Sequence, residues 1–182
     1  PGFEVLVVAE VQVALTQALL NLKLGADSSV MILSGNSLEH AMMTMASMQA
    51  RLPAAPVSPA YSLMSEDHAK LKYVFDLLRP GVVLVQNGKP FERALQSLDL
   101  SGVTVVHVEE APANVDSVSF DELARTPVTA DVDRSVEAIE PSTIGKLLFT
   151  SGSTGMPKAV INTQEMMTAN VAMSQQSRPR DD

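Results

Sequence analysis

Ser29 to Ser34 reads Ser-Val-Met-Ile-Leu-Ser, a short apolar run closed by Gly35 and Asn36, and its setting decides the fold class. Such a run suits a strand buried on both faces. Ser37 stands where it can cap a helix, and Leu38, Ala41, Met42, Met45, Met48 and Leu52 then hold helical spacing. Upstream, Val11, Leu15, Ala18, Leu19 and Leu22 form the stripe of an earlier core-facing helix, with Gly25 where that helix ends. Downstream, Pro53, Pro56 and Pro59 force an extended strand or loop, because proline fixes its own φ and restrains the residue before it. From His68, Leu71, Val74, Phe75 and Leu78 mark a helix ended by Arg79 and Pro80; Val82 to Val85, Phe91 to Leu98 and Val103 to Val108 then alternate strand, helix, strand. Parallel strands need crossover helices, so this alternation predicts an α/β domain with a largely parallel sheet flanked by helices.

The chain has 182 residues, enough for one well-cored domain, and its 46% hydrophobic and 19% charged content excludes wholesale disorder, collagen and coiled coil. Thirteen Lys and Arg against 21 Asp and Glu give a formal charge of −8, which offers no basic face to a nucleic-acid backbone. Without cysteine there are no disulfides, zinc-thiolate sites or thiol nucleophiles, which suits a reducing compartment and makes the cytoplasm the expected location. Every apolar run is broken well before the ~20 residues of a membrane span. Residues 109–140 are acidic, carry Pro112 and Pro127, and read as a connector with one short helical stretch around Phe120 to Arg125.

Chemistry enters after the connector. Gly145-Lys146-Leu147-Leu148-Phe149 leads into Thr150-Ser151-Gly152-Ser153-Thr154-Gly155-Met156-Pro157-Lys158 and then Ala159-Val160-Ile161, which reads as two strands joined by a glycine- and hydroxyl-rich loop. Gly152 and Gly155 let successive N–H groups converge on an anion, while four hydroxyls and the Lys158 ammonium add donors, a set suited to a polyphosphate. The Walker-type loop is excluded, since Pro157 stands between the last glycine and Lys158 and argues against a helix starting there.

The string "TSGSTGMPK" resembles the phosphate-binding loop of adenylate-forming enzymes, the superfamily of acyl-CoA synthetases, luciferases and peptide-synthetase adenylation domains. "AAPVSPAYSLMSEDHAKLKYVFDLLRP" is similar to that superfamily's proline-rich strand, tyrosine and following helix, in the expected order. Within it, "ILSGNSLEHA", "PVSPAYSL" and "LFTSGSTGMPKAVINT" look most like the feruloyl-CoA synthetase branch. The resemblance implies an acid-CoA ligase that joins a carboxylate to ATP, releases pyrophosphate and passes the acyl group to CoA, with Mg²⁺ accompanying the nucleotide. It implies that Thr150, Ser151, Gly152, Ser153, Thr154, Gly155 and Lys158 hold the phosphates, and that the acid is ferulate or another hydroxycinnamate. A ligase for a fatty or amino acid, or a standalone ATP- or pyrophosphate-binding domain without catalysis, remains open.

Other residues take plainer readings. Lys146 is a surface charge, Tyr61 packs, the Met42, Met43, Met45 and Met48 cluster fills core, and the acidic groups around Glu109 and Asp131 are solvated. His40, His68 and His107 lack metal-ligand spacing, so no metal site is expected. Ala159 stands where the family commonly has glycine, and Thr163-Gln164 where it commonly has a Thr-His pair; Asn162 with Glu165 fits a capped helix start. Nothing resembles the family's downstream aromatic-Gly-x-Thr-Glu stretch, ribose-binding Asp, hinge or C-terminal-domain lysine. The expected organisation is a partial N-terminal adenylation domain: an α/β part over 1–108, the connector over 109–140, the loop hairpin and a helix over 141–176, and a polar tail over 177–182, with no C-terminal domain, no complete catalytic set and no activity of its own. Exposed apolar surface on the Met-rich helix and at Met166, Met167 and Met173 makes self-association an expectation.

Overall fold

The structure is a computed structural model that describes residues 2–150 and 155–177, with side chains described from Val8 to Gln176 within those limits. Its centre is a seven-stranded sheet: β1 (Ser29–Leu33), β2 (Ala54–Pro56), β3 (Pro80–Val85), β4 (Thr104–His107), β5 (Val118–Ser119), β6 (Ile144–Thr150) and β7 (Lys158–Thr163), in the order β5-β4-β3-β1-β2-β6-β7. Every neighbouring pair is parallel except β6 and β7, which form an antiparallel hairpin. The largely parallel sheet expected from the alternating pattern is therefore present.

The helices are α1 (Gly2–Asn21), α2 (Leu38–Gln49), α3 (Ala60–Leu63), α4 (Ala69–Leu78), α5 (Gly88–Gln96), α6 (Phe120–Leu123), α7 (Asp131–Glu137) and α8 (Gln164–Ser177). They are sorted by the period-2 alternation of the strands. Val30, Ile32, Val82, Leu84 and Val106 point to the face covered by Leu15 and Leu19 of α1, Met42, Met43 and Ala46 of α2, and Phe120 of α6. Met31, Leu33, Val83, Val85 and Val105 point to the other, covered by Leu71, Val74, Phe75 and Leu78 of α4 and Phe91, Ala94 and Leu95 of α5. With helices on both faces, β1 and β3 are buried at every residue, which is why their sequences run apolar without alternation.

Ser37 caps α2 by accepting from the His40 N–H at 3.1 Å, as its position suggests, and Asn87 caps α5 by accepting from the Lys89 N–H at 3.1 Å. At the start of α4, Asp67 accepts from the Ala69 N–H at 3.1 Å and from Ser65 Oγ at 2.9 Å. These bonds, the backbone one first, hold its carboxyl below the ordinary carboxylate range.

The structure departs from the sequence reading in several places. Residues 109–140, read as a connector with one helical stretch, hold β5, α6 and α7. α7 is fixed by distant partners: Thr129, just before it, donates through its N–H and Oγ1 to Gln17 Oε1, both at 2.9 Å, and Ser135 Oγ donates to the Gln49 carbonyl at 2.8 Å. α1 begins at Gly2, well before the Val11 stripe. A buried polar seam joins α1 to α2, where Gln12 Nε2 and Thr16 Oγ1 donate to Gln49 Oε1 at 2.7 and 3.0 Å. Met42 and Met43 are core, but Met45 of the same cluster is 52% exposed.

Two glycines mark close approaches. The Gly88 N–H donates to the Glu110 carbonyl at 2.7 Å, and a Cβ there would meet Pro112 Cδ and N at 2.4 Å, both rigid. A Cβ on Gly145 would meet chiefly the Met167 methyl, the free end of a flexible side chain. Gly88→Ala is therefore expected to cost about 1–3 kcal/mol in urea unfolding, the scale of core overpacking, and Gly145→Ala less than half as much. Because the folded Asp67 carboxyl titrates below its unfolded value, its contribution is present above the unfolded pKa and lost as pH falls through the folded one. The stability difference between wild type and Asp67→Asn should thus be present at neutral pH and vanish in acid, read by thermal unfolding across pH.

Candidate phosphate-binding hairpin

The first six strands run parallel, so their carboxyl ends share one edge of the sheet. Ligands of open α/β sheets bind outside this edge. The chain goes from β1 to β2 on one side and returns to β3 on the other, so the switch point lies between β1 and β3, at one end of a tied row of loops. There Ser37 Oγ donates to Gln86 Oε1 at 2.9 Å, and Asn87 Nδ2 donates to Glu109 Oε2 at 2.9 Å, linking the loops after β1, β3 and β4. Glu109, read from sequence as solvated charge, is one of these ties. Ser34 Oγ lies 2.8 Å from His40 Nδ1 in the same row.

The glycine-rich loop opens at this edge. Thr150 ends β6 and Lys158 begins β7, and the two are cross-strand partners that close the loop at its base, with Thr150 Oγ1 donating to the Lys158 carbonyl at 3.4 Å. Of the sequence-derived phosphate contacts, Thr150, Gly155 and Lys158 are placed at this mouth, Gly155 and Lys158 exposed. Ser151, Gly152, Ser153 and Thr154 lie outside the described residues. Pro157 is buried between exposed Met156 and Lys158. Among the described residues no carboxylate is ion-paired with Lys158; the one ion pair joins Asp131 and Arg134, two exposed side chains of α7.

Beside the hairpin, Ala54 of β2 pairs with Lys146 of β6. The short helix α3 that follows β2 carries Tyr61, half-buried against the core on the α4 and α5 face, with Lys70 Nζ 5.7 Å from its ring centroid. Packing is thus Tyr61's role here, and the neighbouring β2 turn was not evident as part of this edge from sequence. Lys146 is half-buried on β6. Among the described residues no group of three or more His, Asp or Glu side chains is arranged to hold a metal ion, and no helix is long and apolar enough to cross a membrane.

Past β7, Thr163 Oγ1 accepts from the Met166 N–H at 3.3 Å and caps α8, while Asn162 stays in the strand and donates to the Val160 carbonyl. The cap expected at Asn162 is one residue later. Gln164, in the place of the family's common His, is tied at the far end of the hairpin by its N–H to the Thr143 carbonyl at 2.9 Å.

Residues 10–182 match the family of AMP-binding enzymes. The chain belongs to this adenylate-forming family. No curated protein matches it. Among solved structures it is similar to VinN in complex with 3-methylaspartate (16% identity, TM-score 0.64, 93% of this chain and 42% of that one). It is also similar to ATP-bound MatB from Rhodopseudomonas palustris (18%, 0.63, 93% and 31%) and to the fatty acyl-adenylate ligase of L. pneumophila in complex with acyl adenylate and pyrophosphate (17%, 0.62, 93% and 26%). At these identities the likeness establishes the shared fold. The chain spans less than half the length of each of these structures.

The position of the α8 cap is directly testable. Thr163→Ala should cost ~1 kcal/mol, the usual loss for a helix N-cap, whereas Asn162→Ala should cost distinctly less, measured by denaturant unfolding of both variants.

Proposed function

We propose that the chain is the amino-terminal part of an ATP-dependent acid-CoA ligase, and that Thr150, Ser151, Gly152, Ser153, Thr154, Gly155 and Lys158 bind the phosphates of ATP. The observation that carries this reading is the cross-strand pairing of Thr150 with Lys158 at the carboxyl edge of a family-matched sheet, which sets an ammonium free of carboxylate partners among the described residues at the loop's mouth. ATP supplies an activated α-phosphorus and pyrophosphate as leaving group. As the bond to pyrophosphate breaks, negative charge grows on the departing phosphates. Donors fixed in advance around them, with the Lys158 ammonium, then stabilise the transition state more than the ground state.

The carboxylate is proposed to be a hydroxycinnamate such as ferulate, on the strength of the branch-level strings, with CoA as acyl acceptor. Structures of similar fold hold other acids, 3-methylaspartate in VinN and an acyl adenylate in the L. pneumophila fatty acyl-adenylate ligase, so fatty and amino acids are the competing substrates. Mg²⁺ belongs to the proposal with the nucleotide, but the described residues provide no ligand set for it, and no step is assigned through it. The adenylating activity is proposed for these residues joined to the further length that the similar structures carry, and the cytoplasm as its location.

Joined in this way, the protein should exchange pyrophosphate into ATP in the presence of ferulate rather than a fatty or amino acid. Lys158→Ala should slow that exchange by roughly ten- to a thousandfold, the scale for losing one preorganised donor or cation at developing charge. An unchanged rate removes Lys158 from the site. Calorimetry on the 182-residue chain should show weak or no ATP binding; submicromolar binding would favour the non-catalytic ATP- or pyrophosphate-binding domain.

A further inference from the structure

Away from the hairpin, the sheet face covered by α4 and α5 holds a cavity of about 460 Å³ whose walls all come from residues 95–116. It lies on the other flank of the sheet: β3, β1 and β2 stand between β4, which lines it, and β6, which carries the glycine-rich loop. Its volume is that of a small-molecule site. The bottom is apolar, with Leu95 and Val105 buried and Leu98 and Val115 half-buried around them. Gln96, Asn114 and Asp116, all exposed, stand at the mouth. Glu92, one turn before Gln96 on α5, accepts on a single oxygen from Asn114 Nδ2 at 2.7 Å and from Gln96 Nε2 at 3.1 Å. A carboxylate only accepts, so it draws both amide nitrogens to itself and leaves both amide oxygens without a partner among the described residues. Asp116 is the one charged residue of the lining, which includes no lysine, arginine or histidine.

We propose that this cavity binds a small primary amine with an apolar body. The body rests on Leu95, Leu98, Val105 and Val115, and the ammonium lies at the mouth. An ammonium carries donors and no acceptor, and the mouth answers in kind with the Asp116 carboxylate and the two amide oxygens that Glu92 leaves unbonded. Charge decides the class of ligand. A carboxylic acid of the same shape would set its negative charge against Asp116, with Glu92 behind the amides and no cation in the lining to offset either. The acid proposed as substrate is therefore excluded from this cavity. The site is separate from the phosphate-binding hairpin and does not rest on the reading of that loop.

Titration of phenethylamine into the full chain, followed by amide NMR shifts, tests this. The amine should perturb residues 95–116 saturably, and phenylacetate, of similar shape and opposite charge, should bind there about fivefold more weakly or not at all. Asp116→Asn should weaken the amine by up to about fivefold, the scale of one exposed ion pair, and Asp116→Lys should reverse the order of the two ligands. Asp116 is exposed and forms no ion pair among the described residues, so both variants should keep the wild-type spectrum outside the site. The comparison of the two ligands on wild type stands whether or not the variants fold. The same shifts should appear when the chain is joined to the further length that the similar structures carry. Equal binding of the two ligands, shifts that do not saturate or that centre elsewhere, an order unchanged in a folded Asp116→Lys, or loss of amine binding in the joined protein would each overturn the proposal.

Discussion

The fold depends on satisfying the backbone of β1. Each of its five residues is buried and both of its edges are interior, so every N–H and C=O along it must find a partner in a neighbouring strand. Leaving one such group unpaired in the interior costs about 1–3 kcal/mol, a large share of a domain's net stability. Parallel pairing with β2 and β3 meets the requirement: the Val30 N–H donates to the Pro53 carbonyl at 2.9 Å and the Val57 N–H to the Ile32 carbonyl at 3.0 Å. That choice requires crossover helices, the crossovers cover both faces, and their loops collect at one edge, where the hairpin opens.

The centre was legible because it is periodic. β1, α2 and α4 announce themselves through an unbroken apolar run, a capping serine and a stripe of Leu71, Val74, Phe75 and Leu78, all of which are buried. The periphery was not, because its structure is made by distant partners. β5 is two residues long and carries no period, and α7 offers only Val132 as a buried apolar residue while drawing its fixation from Gln17 and Gln49, more than eighty positions away. The cap of α8 moved from Asn162 to Thr163 because both side chains can cap and the ladder with β6 decides which residue remains strand.

The hairpin shows the same division. Loop composition made Thr150 and Lys158 visible as phosphate contacts in sequence; their facing each other across the ladder, and the proximity of the β2 turn with Tyr61, follow from strand order, which no local pattern encodes. The ties between the loops after β1, β3 and β4 belong with these: Ser37, Gln86, Asn87 and Glu109 are unremarkable polar residues until the sheet brings them together.

The seam of Gln12, Thr16 and Gln49 bears on how α1 sits. Apolar side chains alone would tolerate the helix sliding along its neighbour, since one greasy contact replaces another at little expense. Displace α1 along its axis, and the Gln49 side-chain oxygen can no longer hold both donors, Gln12 Nε2 and Thr16 Oγ1, which sit one turn apart on the same helix face. Three ordinary side chains thus act as an alignment pin for α1, the longest of the described helices, penalising a shifted register without adding much to the depth of the correct arrangement.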